Sequence, residues 1–282
     1  FGADHLNRHG DLTAEQARSY AASDSITWVD VVGLEDVVEI QRLGELYGVH
    51  PLAIEDVVHT GTSAKAEEYD GFLFFVFKEF LLDIDDDHPD ITVEHVSMVL
   101  TPKVLLTFQE RPEDPFTTVR RRLVEGQGII RRESADYLAY CLMDASVDHV
   151  FEVIEHLGRS IEGLEEELLL RPPRDAKSRL LAQRNATLAL HRHLRPLRVA
   201  IAQLERSNSP LLDRDLKPYL RDLSNHLDEV LSALELYRML GRPDEVRGSG
   251  AEKLWCYAVA DRDVDWLVVV MDQGMVLDLG TD

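Results

Sequence analysis

Cysteine is nearly absent from this 282-residue chain, which holds only Cys141 and Cys256. Two thiols cannot build a disulfide framework, so a reducing, cytoplasmic setting is expected. Cys141 lies in an apolar helical pattern and reads as a small core residue. Long hydrophobic runs are also missing. WLVVVM, Trp266–Met271, is far short of the roughly 20 residues that cross a bilayer, so this chain alone is not expected to span a membrane. The N-terminus, FGADHLNRHG, is polar and carries no signal-peptide pattern. Basic residues are few: 30 Lys+Arg stand against 52 Asp+Glu, a formal net charge of -22. That balance argues against a nucleic-acid partner, which needs a basic stripe, and favours solubility and the attraction of cations. Lysine is scarce even among the bases, 6 against 24 arginines. No phosphate-binding Walker loop, G-x-G-x-x-G, G-x-S-x-G or Cys-x-x-Cys occurs, so an enzyme is not expected.

What is present can fold. Hydrophobic residues make up 45% of the chain, enough for one buried domain plus a substantial extension. The first half alternates strand and helix signals. ITWVDVV, Ile26–Val32, is β-branched and aromatic and predicts a strand. LEDVVEIQRLGELYG, Leu34–Gly48, spaces apolar residues as a helix does and stops at a glycine. His50-Pro51 opens a second short helix, PLAIEDVV, with the proline in the first turn. GFLFFVFKEFLLDI predicts a buried strand, and DIDDDHPD, Asp83–Asp90, a hairpin loop. EHVSMVLTPKVLLTFQE predicts two strands about the turn at Thr101–Lys103. Together these suggest a mixed sheet covered by helices.

The second half predicts long helices. Tyr137, Cys141, Val147, Phe151, Ile154, Leu157, Ile161, Leu164 and Leu168 form one apolar stripe from Ala135 to about Leu170, ended by RPPRD. A second helix is expected from Asp175 to Arg206, broken by SNSP, and a third from Asp213 to Leu240. The first would be on the order of 50 Å long at 1.5 Å per residue, longer than a compact domain, so the helices are expected to project or to meet other subunits. GRPDEVRGSG, Gly241–Gly250, reads as a linker. The remainder returns to strand-like pattern with turns at Asp261-Arg262 and Gln273-Gly274. Three segments result: a sheet domain over 1–134, long helices over 135–240, and a linker with a strand-like tail over 241–282.

The stretch YGVHPLAIEDVVHTG places Glu55 beside Asp56. Adjacent carboxylates repel and are tolerated where water, a base or a cation compensates them. From spacing alone, a solvated helix face is the plainer reading. Asp144 and Asp148 stand four apart on one helix face, Glu165–Glu167 form an acidic run, and Asp222 and Asp228 lie on the third long helix. No single pair is a metal signature. His191 and His193, two apart, point about 200° away from each other on a helix and are not expected to share an ion.

In order along the chain, GVHPLAIED, LLTFQE and PYLRD resemble the CorA magnesium/cobalt transporters. With TWVDV, FLFFVFKEF, EHVSMVL and the helical stretches that follow, the likeness covers about Thr27 to Arg238 and is to the cytoplasmic domain of that family. The resemblance implies an α+β fold: an αβα-layered mixed-sheet domain followed by long antiparallel helices, the last being the start of a stalk toward the membrane. It implies a homopentamer at the cytoplasmic face of the cell membrane, with a chain truncated before the transmembrane helices. It further implies that Asp56 of IED and Asp222 of PYLRD, on neighbouring protomers, share a regulatory divalent cation, with Glu55 and Asp144 nearby. Mg²⁺ is the expected ion, and Co²⁺ or Zn²⁺ fit the same carboxylates. Three departures stand out. HTGTSAKAEE replaces an HQRPKVE-like stretch, keeping Lys65 and Glu67. Asn225 stands where some relatives carry an acid. The Gly-Met-Asn pore signature is missing, since Gly274-Met275 is followed by Val276. A related zinc transporter domain and a free-standing soluble regulatory or oligomerisation module both stay open, with a hydrolase a distant third.

Overall fold

The computed structural model describes residues 1–10, 12–21, 25–85, 88–112, 115–170, 175–240, 245–247, 254–257, 266–270 and 276–280. Five strands form the first sheet: β1 (Thr27–Val32), β2 (Lys65–Tyr69), β3 (Phe72–Asp85), β4 (His88–Leu100) and β5 (Val104–Gln109), in the order β1-β5-β4-β3-β2. β1 runs parallel to β5, whereas β4 with β5 and β2 with β3 are antiparallel, so the sheet is mixed, as expected. β5 is buried at all six positions, which suits a strand covered on both faces.

Alternation along β3 shows the layers. Phe74 and Val76 join Leu106 and Phe108 in a core with Ile40 and Leu43 of α2 (Val37–Tyr47) and Ile54 and Val57 of α3 (Pro51–Val58). Leu73, Phe75 and Phe77 are equally buried and point to the opposite face. On that second face Glu79 meets His149 of α5 (Ala135–Leu170) at 2.6 Å. Lys78, on the first face, donates to the Thr60 carbonyl just beyond α3. Each large apolar side chain so buried contributes on the order of 1.5–3 kcal/mol.

Two helices and one strand of the first sheet escape the sequence reading. α1 (Ala14–Tyr20) is short but carries a capping box, with the Gln16 amide donating to Thr13 Oγ1 and the Thr13 amide to Gln16 Oε1. α4 (Thr117–Glu125) is mostly polar and ends at Gly126, whose φ of 65° is left-handed. It carries Arg120, which reaches Asp30 of β1; Gln109 and Thr107 of β5 donate to the same carboxylate. β2 is an edge strand of sequence KAEEY, and its charges suit an edge that must not pair further.

The hairpin loop expected over Asp83–Asp90 is corrected. β3 runs to Asp85 and β4 starts at His88, while 86–87 lie outside the described residues. Backbone pairing does not require apolar side chains, so an acidic run did not end the strands.

The long helices fall where their apolar stripes predict: α5, α6 (Ala176–Arg206) and α7 (Lys217–Leu240). α7 is preceded by a 3₁₀ turn, Arg214–Leu216, capped by Asp213 accepting from the Asp215 amide at 3.0 Å. Pro196 sits inside α6, where it removes one intrahelical hydrogen bond. The stop at RPPRD falls largely outside the described residues.

The chain divides into two compact units. The first holds Phe1–Leu81, Thr92–Val150 and His193–Glu229. In it α7 lies antiparallel to α6: Arg198 grips Asp228 through two bonds of 2.8 Å, and Arg221 meets Glu205 at 2.9 Å. The second unit holds Leu82–Ile91, Phe151–Arg192 and Val230–Asp282. There α6 runs antiparallel to α5, with Gln183 donating to Ser160 and Arg179 to Glu167. A second sheet, β6 (Glu245–Arg247), β7 (Leu254–Tyr257), β8 (Trp266–Val270) and β9 (Val276–Gly280), is antiparallel throughout. β6 lies inside the stretch read as a linker; the rest of that stretch and the turns at 261–262 and 273–274 lie outside the described residues.

Candidate functional site

α3 forms because His50 and Pro51 start it and because its apolar residues share one face. His50 Nδ1 accepts from the Leu52 amide at 3.2 Å, and Pro51 occupies the first turn. Ala53, Ile54 and Val57 enter the core. Leu52, 57% exposed, and Glu55 therefore face outward, and Asp56 lies at the margin. The end of α3 is pinned from below, since Lys78 spans from the Thr60 carbonyl to His95 Nδ1 at 2.9 Å.

Asp56 already has a cation. Lys65 of β2 donates to Asp56 Oδ2 at 2.6 Å and to Glu67 Oε1 at 2.9 Å. Thr62 donates to Asp56 Oδ1 at 3.2 Å, and Tyr69 donates to Glu67 Oε2 at 2.9 Å. Lys65 and Glu67 share a face of β2 because they are two apart. Burial works against the Lys65 charge, but the two carboxylates hold its pKa above the usual lysine value. Sequence reasoning noted that Lys65 and Glu67 are kept but missed this bridge. The only available signal was their i, i+2 spacing next to an acidic helix.

Asp222 stands on α7 with its side chain 64% exposed and His226, one turn on, 3.8 Å away. Tyr219, one turn before, packs edge-on to Tyr137 and tilted to Tyr140 of α5, with ring centres 5.5 and 5.3 Å apart. These rings set the register of α7 on α5 and so the position of Asp222. Asp144, one turn past Tyr140, is half-buried, as Asp56 is, whereas Glu55 and Asp222 are exposed. Burial and the neighbouring Asp148 charge push its pKa up, against the Tyr140 hydroxyl hydrogen bond and the positive charges of His226 and Arg122. His226 thus acts on both Asp144 and Asp222, a link the sequence reading missed, although His226 is four residues past Asp222.

Within this chain the four carboxylates are therefore not gathered on one point. Asp144 and Asp222 share the α5–α7 face, whereas Glu55 and Asp56 belong to α3. No three His, Cys, Asp or Glu side chains are grouped to hold a metal among the described residues. Their chemistry fits a hydrated divalent ion, because carboxylate oxygens are hard donors and Mg²⁺ keeps several waters. His191 bonds Glu235 at 2.8 Å, and His193 packs against the Phe80 ring; each has its own local role. Cys141 is 1% exposed, and burial pushes its thiol up to about 11, as befits an unreactive core residue.

A layered mixed sheet followed by long antiparallel helices, with carboxylates on α3 and α7, defines an α+β domain. The chain belongs to the CorA-like Mg²⁺ transporter family, whose model matches residues 23–242. It is 34% identical over 224 residues to the cobalt/magnesium transport protein CorA of Thermotoga maritima, a match covering 79% of this chain and 63% of that protein. This chain thus spans less than two thirds of that relative's length. The soluble domain of CorA from Methanocaldococcus jannaschii shares the fold, with a TM-score of 0.65 at 18% identity over 77% of this chain and 87% of that one. The complete CorA magnesium transporter of the same organism gives 0.63 at 17% identity, over 76% of this chain and 66% of that one. No helix among the described residues is long and apolar enough to cross a membrane. The family is one of transporters rather than an enzyme class.

Proposed function

We propose that this chain is the cytoplasmic, divalent-cation-sensing part of a CorA-like Mg²⁺/Co²⁺ transporter that works as a homopentamer. The observation that carries the reading is Asp222. It is a carboxylate in the PYLRD motif, 64% exposed on a long helix, in a chain matched to this family over 23–242. A second exposed acid, Glu55, sits beside Asp56 on α3. Copies of so acidic a chain repel one another. A hydrated Mg²⁺ held between Asp56 of one protomer and Asp222 of its neighbour, with Glu55 and Asp144 close by, would offset that repulsion. Loss of the ion would let the subunits separate, a population shift at an interface. Co²⁺ or Zn²⁺ fits the same oxygen donors less selectively.

The test is Mg²⁺ protection of the full-length protein from chymotrypsin. Asp222→Asn and Asp56→Asn each remove a charged ligand while keeping shape. Each should weaken protection without unfolding the domain. The double variant should lose little more than either single change, since both break one bridge. Wild-type protection in both single variants, or effects that simply add, would reject the pairing.

A further inference from the structure

The carboxylate best placed in sequence to be a ligand is not available as it stands. Asp56 Oδ2 is taken by Lys65 at 2.6 Å and Oδ1 by Thr62 at 3.2 Å. Lys65 is shared, because its ammonium also lies 2.9 Å from Glu67 Oε1. Glu67 is in turn fixed by the Tyr69 hydroxyl at 2.9 Å, and the Tyr69 ring stacks on Phe72 with centres 4.7 Å apart. The ammonium, Asp56 and Glu67 are all partly exposed, with side chains 28%, 25% and 38% accessible. An incoming ion can therefore reach them.

We propose that Lys65 is a tethered competitor that holds Asp56 when divalent cation is low and passes to Glu67 when the cation binds, so that Lys65 and Glu67 together set the Mg²⁺ threshold of the sensor. This rests on the reading of Asp56 as a ligand of the regulatory ion. The physical case is direct. An ammonium and a divalent ion on one carboxylate repel each other strongly in a partly dry site. Mg²⁺ also demands a regular shell of oxygens that a lysine contact at 2.6 Å obstructs. Lys65 must therefore leave Asp56 for an ion to bind directly. It does not have to return to water, since Glu67 already holds it. The exchange swaps one cation for another at Asp56 and keeps Lys65 paired. Without Lys65 the resting subunit would carry one more net negative charge beside α3, with Asp56 and Glu67 both left without its ammonium, and a lower Mg²⁺ concentration would suffice to draw an ion in.

The experiment measures the Mg²⁺ concentration giving half-maximal protection of the full-length protein from chymotrypsin, with ionic strength held constant by KCl. Chymotrypsin is used because a Lys65 substitution removes a trypsin site. Lys65→Met should lower that concentration roughly fivefold, the scale of one partly exposed, charge-assisted pair. Lys65→Arg keeps the charge and should leave the threshold at or above the wild-type value. Glu67→Gln removes the alternative acceptor and should raise the threshold, a direction opposite to Lys65→Met. It also keeps the test open should Lys65→Met fold poorly. A threshold unchanged or raised in Lys65→Met, or unchanged or lowered in Glu67→Gln, overturns the competitor role even while Asp56→Asn still weakens the Mg²⁺ response. An unaltered response in Asp56→Asn removes the ligand reading and the competitor role together.

Discussion

His95 should make the fold sensitive to acid in a definable window. Its ring is fully buried, with Nδ1 2.9 Å from the Lys78 ammonium. Burial first, then the Lys78 charge, pushes its pKa from the ordinary 6.5 down to about 4; the backbone and charge of Asp56 oppose this, and His59 adds to it. Lys78 is itself lowered by burial, with Glu110 opposing. Protonating His95 would remove the acceptor that Lys78 uses and set two cations side by side in the core. The unfolded chain takes up this proton near pH 6.5, and the folded chain resists it until about pH 4. Stability from the neutral ring is therefore fully present above 6.5 and is lost as pH falls toward 4. The shift corresponds to about 3 kcal/mol at most, since one pKa unit is worth about 1.4 kcal/mol. His95→Gln offers Lys78 a carbonyl oxygen and does not titrate. Urea unfolding of both proteins from pH 8 to pH 4 should show the wild type losing about 3 kcal/mol more than the variant. Histidine ring-proton NMR should find one imidazole that stays neutral through pH 5. Parallel stability curves, or a His95 ring titrating at its ordinary value, would refute the reasoning.

Two further outcomes test how the helices are held. The Asp136 carboxylate, 4% exposed, accepts from the Tyr137 amide at 2.9 Å, the Asp213 amide at 2.7 Å and the Ser134 hydroxyl, joining the start of α5 to the turn before α7. Asp136→Ala should cost about 2–4 kcal/mol in urea unfolding, because it leaves buried donors without an acceptor; a loss under about 1 kcal/mol would show that the chain relaxes around it. Glu79, at 0% exposure, has its pKa raised by burial, with hydrogen bonds from His149 and Ser146 opposing. Its contribution is thus fully present below its ordinary 4.5 and is lost as pH rises through the higher folded value. Relative to wild type, Glu79→Gln should gain stability from pH 4.5 upward, and a pH-independent difference would count against this.

The elements with strong periodicity were legible. α5 and α6 fall within a residue or so of their predicted limits, because apolar stripes of this length admit one period. β3, β4 and β5 were legible as apolar runs. α1 and α4 were not, since each is short and mainly polar and is held by tertiary contacts such as Arg120 with Asp30. β2 was missed for a related reason: KAEEY has no apolar alternation and becomes a strand by pairing with β3, Lys65 opposite Val76 and Tyr69 opposite Phe72. The candidate site divides in the same way. Asp56 and Asp222 came from motifs that survive in the sequence. The partners of these residues depend on which strand lies beside α3 and which face of α5 meets α7, and local pattern carries neither.

The missed strand bears on the choice of cation. Arginine outnumbers lysine 24 to 6 in this chain, and where helices must be fastened the structure uses its planar fork. Arg198 holds both oxygens of Asp228 at 2.8 Å. Such a two-point grip resists exchange. At Asp56 the partner is instead a lysine, a point charge on a flexible stem that makes one contact to each of two carboxylates. Arginine there would clamp one acid with two bonds and be slow to release it. Lysine can shift between Asp56 and Glu67 by a small rotation with both ends of the path favourable. If Lys65 acts as the proposed competitor, the rarer base stands where a removable cation is needed, and Lys65→Arg should leave the Mg²⁺ threshold at the wild-type value or raise it, because the fork has more to give up.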